Sequence, residues 1–344
     1  MPALNHFGLD IGSHSIKAVQ LSGSAEQPVF VTAGQVQTSP ESSSEDTEKA
    51  IQSLASSIKT LCKEAQISTN KVVTALPESQ VFTRVIELPT LNQAEVRNAI
   101  TWEAEQYVPI PLSEVRLDWQ VLGKNKEGDK VEVLLVAAPN ALIERTINIL
   151  KAAGLSVFGL ETEITAVVRS LVQRNEDAPS TMVVSIGAST TDLSIVSVGR
   201  ISFTRSIPTG GLALARGVAQ ELGFEIDQAT EYMKTYGLDS SSLEGKVMQA
   251  IKPIFDVIVN EIRRSLAYYS TKHADLPVKR IIVTGGTAKL PGIVVYLAES
   301  LGLEVQIGNP WERISLPRPI AAKLAEDSTS YAVAVGLALK PAGK

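Results

Sequence analysis

The stretches Phe7-Gly-Leu-Asp-Ile-Gly-Ser-His-Ser-Ile-Lys17 and Val183-Val-Ser-Ile-Gly-Ala-Ser-Thr-Thr-Asp192 share one pattern and lie about half a chain apart. Each reads as an apolar strand, a turn of small residues and a second strand. The turn glycine, Gly12 or Gly187, can adopt a positive φ without a Cβ clash, and its missing side chain lets backbone N–H groups approach an anion closely. The repeat therefore predicts a duplicated fold in which two lobes hold one polyphosphate in a cleft between them.

Composition sets limits on the class of protein. The chain has 344 residues, of which 44% are hydrophobic and 20% charged, so two well-packed lobes are expected. A formal net charge of -5 argues against nucleic acid or an anionic membrane as the main partner. The single cysteine, Cys62, excludes an intrachain disulfide and fits a buried helical residue better than a catalytic thiol. No signal peptide or apolar span is recognised, which predicts a cytoplasmic protein.

Periodicity and turn residues divide the chain into α/β units. In the first half of the chain the predicted elements are a hairpin over Phe7 to Leu21, a strand over Val29 to Val36, a polar connector over Thr38 to Thr47, a helix over Glu48 to Glu64, a β-α-β-β block over Val81 to Val136, and helices over Asn140 to Ala153 and Ile164 to Gln173. In the second half they are a hairpin opening at Met182, helices from Gly210-Gly211 to Tyr236, a helical run over Leu243 to Tyr269 interrupted by Pro253, a strand over Arg280 to Thr284, and helices over Pro291 to Leu301 and Ser330 to Leu339.

The first turn carries groups suited to a magnesium-bound phosphate. Asp10 stands two positions before Gly12, where its carboxylate can face a hydrated Mg²⁺. Ser13 and Ser15 offer hydroxyl hydrogen bonds, and Lys17 offers a positive counter-charge. The alternative is an ordinary surface hairpin with an exposed aspartate and lysine.

The second turn repeats the pattern with different polar groups. Ser189, Thr190 and Thr191 follow Gly187, and Asp192 stands where the first copy has its lysine. A carboxylate there can orient a water molecule or the metal. Burying three hydroxyl groups without partners is costly, so a ligand contact is favoured over core packing. The alternative is a threonine-rich edge strand.

A third segment, Ile281 to Gly292, places Gly285 and Gly286 directly after a buried strand. Ligands of open α/β sheets bind at this end of the strands. The absence of side chains at the two glycines would let a nucleobase or ribose lie against the backbone.

Taken in this order, the three segments resemble the first phosphate, second phosphate and adenosine segments of the actin-like ATPase superfamily, and within it the PilM family of type IV pilus assembly proteins. The resemblance to that family is carried by Ile86 to Pro89, Ala99 to Pro111, Val115 to Leu122, Leu150 to Leu155, Phe203 to Gly211 and Glu261 to Leu266.

The resemblance implies an α/β, duplicated, ribonuclease H-like fold of two lobes with a small α+β subdomain inserted into the first. Its implied domains are a first lobe over 1–80 and 137–180, an inserted subdomain over 81–136, a second lobe over 181–210 and 266–344, and a small subdomain of the second lobe over 211–265.

The resemblance also implies that ATP and Mg²⁺ bind between the lobes. The implied nucleotide-binding residues are Asp10, Gly12, Ser13, Ser15, Lys17, Gly187, Ser189, Thr190, Thr191, Asp192, Gly210, Gly211, Glu231, Lys234, Arg264, Gly285, Gly286 and Thr287, with Asp10 and Asp192 as the metal candidates. In this chain Ser185 replaces the usual aspartate of the second phosphate segment, and Thr287 replaces a third glycine. ATP binding is therefore expected, with slow or absent hydrolysis and no assigned catalytic residue.

The partner implied by the resemblance is the short cytoplasmic N-terminal tail of PilN, an inner-membrane protein. It would lie between the first lobe and the inserted subdomain, near Trp102, Tyr107, Pro109 and Pro111, unless these residues form the core of the subdomain. This places the protein at the inner membrane through a partner, without inserting into it, among other pilus components and with possible self-association. Two alternatives stay open: a turnover ATPase and an adaptor without nucleotide.

Overall fold

The computed structural model describes residues 3–39, 47–89, 93–124, 128–173, 175 and 178–341. Two five-stranded sheets have the same arrangement. The first consists of β1 (Phe7–Ile11), β2 (Ser15–Gly23), β3 (Pro28–Gln37), β4 (Lys71–Leu76) and β8 (Ser156–Thr162), in the order β3-β2-β1-β4-β8. The second consists of β9 (Ser180–Ile186), β10 (Thr191–Ser197), β11 (Arg200–Ile207), β12 (Val278–Thr284) and β13 (Glu304–Ile307), in the order β11-β10-β9-β12-β13. The predicted duplication is confirmed.

In each sheet an antiparallel hairpin continues into parallel strands. β1 pairs with β2 antiparallel and with β4 parallel, and β9 pairs in the same way with β10 and β12. Parallel strands end at a common edge of the sheet, so the turns that follow them converge there. Both predicted phosphate turns lie at such an edge.

Helices cover the first sheet on both faces. On one face, α1 (Glu48–Glu64) starts at Thr47, whose side chain accepts a hydrogen bond from the backbone N–H of Ala50. Its buried stripe of Leu54, Ile58 and Leu61 packs with β1, β2 and α3 (Asn140–Ala152). Such a stripe, repeating every three to four residues, drives a helix onto a sheet.

Two short helices lie between the sheets. α4 (Glu163–Leu171) and α10 (Ala332–Ala338) both contribute side chains to a cluster with strands β9, β10 and β12 of the second sheet. The helices touch closely, because a Cβ on Gly336 would lie 1.8 Å from the carbonyl oxygen of Ala166. α10 also packs on the first sheet, where a Cβ on Gly8 would lie 2.2 Å from the carbonyl oxygen of Ala334. The last helix therefore contributes to the core beneath the first sheet.

A third sheet carries the segment between β4 and α3. It consists of β5 (Phe82–Pro89), β6 (Val115–Lys124) and β7 (Lys130–Pro139) in the antiparallel order β5-β7-β6, with α2 (Gln93–Tyr107) packed on it. We call this unit the inserted subdomain. It has its own apolar core, which includes Ile86, Ile100, Ala104, Val133 and Leu135.

Helices α5 (Gly211–Leu222), α6 (Ile226–Tyr236), α7 (Lys246–Lys272) and α8 (Ile293–Leu301) complete the second lobe, and α9 (Arg318–Ala325) precedes α10. The predicted break at Pro253 is wrong, because α7 runs through it. An interior proline costs a helix about 3 kcal/mol, and the buried neighbours Ile251, Phe255 and Ile258 anchor this one in the lobe's core. Strands β8 and β13 were not predicted. Most of the predicted polar connector lies outside the described residues.

Candidate functional site

The two phosphate turns have the same backbone closure. The N–H of Gly12 donates to the carbonyl of Ser15 at 3.1 Å, and the N–H of Gly187 donates to the carbonyl of Thr190 at 2.8 Å. Neither glycine adopts the positive φ that the missing side chain would permit. Glycine fits here because a Cβ would lie 2.8 Å from the oxygen of Ser15 and 3.2 Å from that of Thr190. Close approach of the backbone, and not a left-handed backbone conformation, explains why glycine occupies both positions.

The turns meet across the cleft between the lobes. The hydroxyl oxygens of Ser13 and Ser189 are 3.1 Å apart, close enough for one to donate to the other. Both side chains are exposed, so a ligand entering the cleft can reach them. The turns lie 176 residues apart in the chain, and only the packing of the two lobes brings them together.

Asp10 and Lys17 face each other across the first hairpin and are both buried, with 8% and 7% of their surface exposed. The alternative of a surface hairpin is therefore excluded. Burial raises the pKa of Asp10, and the nearby ammonium of Lys17 opposes that rise. The Nζ of Lys17 donates to the hydroxyl of Ser15 at 2.5 Å, which holds the cation beside the turn.

Asp192 has no such cation opposite it. Its cross-strand neighbour on β9 is Ser185, and burial raises the pKa of Asp192 to about 6. The hydroxyl of Thr190 donates to its Oδ2 at 3.4 Å, and the Ser206 side chain also favours the charged form, while Oδ1 is buried and makes no hydrogen bond of ordinary length among the described residues. An ionised carboxylate in this position is costly unless a cation or its water shell reaches it.

The three adjacent hydroxyls of the second turn have different surroundings. Ser189 is exposed, Thr190 is partly buried and Thr191 is fully buried. The hydroxyl of Thr191 donates to the carbonyl of Thr209 at 2.7 Å, so its burial is explained by the backbone and not by a ligand. The alternative of an edge strand is excluded, because β10 lies between β9 and β11.

The adenosine segment is tied to the second turn. The hydroxyl of Thr287 donates to the carbonyl of Gly187 at 3.1 Å, and its N–H donates to Ile186 at 3.1 Å. Gly285 has a φ of 92° and passes so close to Ile186 that a Cβ would lie 2.4 Å from that carbonyl oxygen. By contrast, a Cβ on Gly286 would meet open space. Gly286 therefore offers a bare backbone surface.

Gly210 and Gly211 lie against the same turn. The N–H of Gly211 donates to the carbonyl of Gly187 at 2.9 Å, and a Cβ on Gly210 would lie 2.7 Å from that same oxygen. Helix α5 therefore begins at the second phosphate turn, which directs the positive end of its dipole towards the cleft.

Three predicted site residues lie on the small helical unit of the second lobe. Glu231 and Lys234 are exposed on α6 and form an ion pair with each other at 2.9 Å. Arg264, on α7, is 73% exposed and pairs with Glu261 at 2.8 Å. Lys234 donates to Glu231 within α6, and Arg264 donates to Glu261 within α7, so these side chains bond to their own helices. Their assignment to a nucleotide stays a prediction.

Two buried glutamates at the cleft were missed by the sequence reasoning. Glu78 follows β4 and Glu163 follows β8, so both stand at the edge where β1 presents Asp10. The backbone N–H of Glu78 donates to Oε2 of Glu163 at 3.1 Å. Burial, followed by the negative charges of Asp192 and Asp10, raises the pKa of Glu163 well above its usual value. The signal available in the sequence was the acidic pair Glu161 and Glu163 in an otherwise apolar stretch.

Burial also raises the pKa of Glu78 to about 7, with repulsion from Asp192 adding to the rise. Among the described residues the cleft therefore holds four carboxyl groups, and Lys17 lies opposite one of them, Asp10. Within the described ranges no cluster of three or more such side chains is spaced to grip a metal directly. Mg²⁺ commonly retains several waters and needs one or two carboxylates, so Asp10 and Asp192 fit a hydrated ion. The orphaned Oδ1 of Asp192 is the observation that supports this fit.

Comparison with solved structures identifies the fold. The chain superposes on a PilM-PilN type IV pilus biogenesis complex with a TM-score of 0.85 and 28% identity, covering 97% of this chain and 98% of that one. The ethanolamine utilization protein EutJ from Carboxydothermus hydrogenoformans gives a TM-score of 0.58 at 17% identity, covering 97% and 89%. MreB5 of Spiroplasma citri bound to ADP gives 0.51 at 13%, covering 96% and 94%. The last two share the fold alone.

Curated relatives belong to the same actin-like group. FtsA, a cell division protein of Neisseria meningitidis, is 24% identical over 285 residues, which cover 73% of this chain and 62% of FtsA. EutJ of Escherichia coli is 25% identical over 148 residues, covering 43% and 46%. The chain thus spans between about half and two thirds of the length of these relatives.

In the described ranges, every helix is too short or too polar to cross a bilayer. The predicted actin-like fold is confirmed by the two matching sheets and by these structural neighbours. The family model of the type IV pilus assembly protein PilM matches residues 8–342, and the chain therefore belongs to the PilM family of actin-like type IV pilus assembly proteins.

Proposed function

We propose that this protein is an ATP-binding scaffold of the pilus assembly machinery at the inner membrane, and that the cleft between its lobes binds ATP with Mg²⁺. The observation that carries the proposal is Asp192, a buried carboxylate with an unpartnered oxygen beside the paired phosphate turns. Bound ATP would supply a polyphosphate, and Mg²⁺ would supply the divalent positive charge that screens the phosphates.

The residues of the cleft have separate tasks in this proposal. Backbone N–H groups of the turns at Gly12 and Gly187 face the phosphates, and Ser13 and Ser189 donate from opposite lobes. Lys17 supplies a fixed positive charge, held by its hydrogen bond to Ser15. Because the two serines come from different lobes, the phosphates would hold the lobes together.

The nucleoside is assigned to the open backbone at Gly286. Only there, among the glycines of the adenosine segment that the structure describes, does the space of a missing side chain stay empty. Thr287 fixes this segment to the second phosphate turn, so phosphate and nucleoside sites move as one unit. Glu231, Lys234 and Arg264 are proposed to border the nucleoside from α6 and α7.

A turnover ATPase is the second candidate, and Glu163 is the observation that favours it. A carboxyl group with a strongly raised pKa, buried beside Asp10 and Asp192, can hold or accept a proton from an attacking water. Phosphate release by wild type and by Glu163→Gln distinguishes the two candidates. Release that is lost in Glu163→Gln, with ATP affinity retained, would establish hydrolysis at this cleft.

The partner proposed for the inserted subdomain is the cytoplasmic N-terminal tail of PilN. The superposed PilM was solved together with PilN, and the subdomain exposes a suitable surface. Trp102 is 73% exposed and Tyr107 is 37% exposed, with the guanidinium of Arg84 4.0 Å above the tyrosine ring. Pro109 and Pro111 are exposed beside them. Neither aromatic residue belongs to the core of the subdomain, so both remain available to a peptide.

Through PilN the protein would sit peripherally at the inner membrane, in reach of other pilus components and of further copies of itself.

Calorimetry with Mg²⁺-ATP, in the presence and absence of a synthetic PilN tail peptide, tests this proposal. Binding of both ligands with negligible phosphate release supports the scaffold. Binding of the peptide alone would make the protein an adaptor without nucleotide, and rapid phosphate release would make it a turnover ATPase. Lys17→Ala is the control for ATP, because it removes the one lysine that the structure holds beside the first turn.

A further inference from the structure

The inserted subdomain touches the second lobe, although the chain attaches it only to the first. The contact lies on β11, the edge strand of the second sheet. The hydroxyl of Thr204 on β11 donates to the carbonyl of Thr83 on β5 at 3.2 Å. At the start of the same strand, Arg200 lies against Gly123 of β6, where a Cβ would stand 2.1 Å from the Nη1 atom of the arginine.

The contact is complementary in charge. Glu132 on β7 lies opposite Gly123 in the sheet. Burial, joined by the neighbouring Glu87, raises the pKa of Glu132 above its usual value, while His273 and Arg200 of the second lobe oppose that rise. Because Glu132 faces Arg200 and His273 of the second lobe, one position of the inserted subdomain against β11 is favoured over others.

A second link runs from the cleft into the subdomain. Residues 78–80 form a single 3-10 turn between β4 and β5, and Glu78 is 95% buried in it, since 5% of its surface is exposed. Its N–H holds the carboxylate of Glu163. Five residues later, Thr83 accepts the bond from Thr204. Oε2 of Glu78 and Oγ1 of Thr83 are buried and make no hydrogen bond of ordinary length in the described part of the chain, although the Thr83 side chain is near enough to favour the charged form of Glu78, so a small rearrangement of this junction can join them.

The second lobe reaches the same junction from the other side. Asp192 lies on β10, and its cross-strand neighbour on β11 is Ser206, two residues from Thr204. The cleft is thus connected to the subdomain through Glu78 from the first lobe and through β11 from the second. A change in the angle between the lobes must slide β5 along β11 or break the contact at Arg200, because packed interfaces have few alternative arrangements.

We propose that the inserted subdomain is a latch between the lobes, whose contact with β11 changes when nucleotide fills the cleft. This inference rests on the proposed ATP binding and adds its regulation. The exposed aromatic surface of Trp102 and Tyr107 belongs to the inserted subdomain. The position of the subdomain against β11 therefore sets the affinity of that surface for a peptide. By linkage, any effect of ATP on that peptide is matched by an equal effect of the peptide on ATP.

Amide hydrogen exchange over residues 82–139, with and without saturating Mg²⁺-ATP, tests the latch in the full chain. In wild type we expect ATP to change the exchange of β5 and β7 by about fivefold or more, the lower range of allosteric coupling. In Arg200→Ala/Thr204→Val the subdomain should exchange faster without ATP and lose its response to it. Arg318→Ala, which removes an exposed arginine from α9, should behave as wild type.

The outcomes separate the latch from ATP binding itself. Calorimetry that shows no ATP binding overturns the proposed function and the latch with it. ATP binding without a change of exchange in the wild-type subdomain overturns the latch alone. An equal response in the double variant and in wild type also overturns it, because β11 would not be the link. If circular dichroism shows that the double variant is unfolded, Thr204→Val alone removes a single hydroxyl and gives the same decision.

Discussion

Replacing Glu78 by glutamine should change how the stability of the nucleotide-free protein depends on pH. Burial raises the pKa of this carboxyl from 4.5 to about 7. In the unfolded chain the group ionises freely near its ordinary pKa, whereas in the folded protein it retains its proton to higher pH. The folded state then binds more protons, so the free energy of unfolding falls as the pH rises from about 4.5 to about 7.

The size of this effect follows from the shift. One pKa unit corresponds to 1.36 kcal/mol, so a rise from 4.5 to about 7 makes wild type lose about 3 kcal/mol across that range. Glutamine has no charge to bury. Glu78→Gln should therefore gain up to about 3 kcal/mol over wild type between pH 5 and pH 8. Any steric cost of the amide is independent of pH and cancels in this comparison.

Urea unfolding at pH 5, 6, 7 and 8, without nucleotide or Mg²⁺ and followed by tryptophan fluorescence, measures the difference. Trp311 is buried in the core of the first lobe, so its emission reports the lobe that carries Glu78. Glu299→Gln, an exposed change on α8, is the matched control and should follow wild type at every pH. A difference between Glu78→Gln and wild type that stays constant from pH 5 to pH 8 would refute the reasoning.

Four further predictions concern the cleft, the lobe packing and the partner surface. Lys17→Ala should weaken ATP binding about 10- to 100-fold in calorimetry, the worth of a hydrogen bond to a charged group; unchanged affinity would remove Lys17 from the site. Gly336→Ala should lower the free energy of unfolding by about 3 kcal/mol, because its Cβ would meet the carbonyl of Ala166 at 1.8 Å. Gly286→Ala, whose Cβ meets open space, should keep full stability and lose ATP affinity, and equal stability losses in the two glycine variants would contradict the packing argument. Trp102→Ala should weaken binding of the PilN peptide about 30-fold, as for a central aromatic contact, without changing the melting temperature, and retained affinity would place the peptide elsewhere.

Local patterns in the sequence were sufficient for the phosphate turns. A strand, a glycine turn and a second strand can be read within about a dozen residues, because the side-chain period and the turn glycine are local properties. The positive φ that glycine permits is not used at Gly12 or Gly187, because glycine can be required by close backbone approach as well as by a left-handed backbone conformation. The crowding atoms of Ser15 and Thr190 become visible only in three dimensions.

Helix α7 and strand β8 show where local reading fails. Pro253 has the local signature of a helix break, yet burial of the residues around it in the second-lobe core keeps α7 continuous. Strand β8 is short, and its parallel pairing with β4 joins segments about 85 residues apart. Because β8 was not predicted, no local pattern indicated that Glu163 lies at the cleft.

By itself, the sequence determined the duplicated turns, the order of the phosphate and adenosine segments and, through further stretches such as Ala99 to Pro111, the PilM family. The tertiary structure alone decided which carboxylates share the cleft and how the inserted subdomain reaches the second lobe. Glu78, Glu163 and Asp192 come from three separate strand ends; burial raises the pKa of all three, and repulsion between carboxylates adds to the rise at Glu78 and Glu163. Those quantities depend on the folding of the whole chain, because charge repulsion and desolvation are set by distance in space and not by distance along the chain.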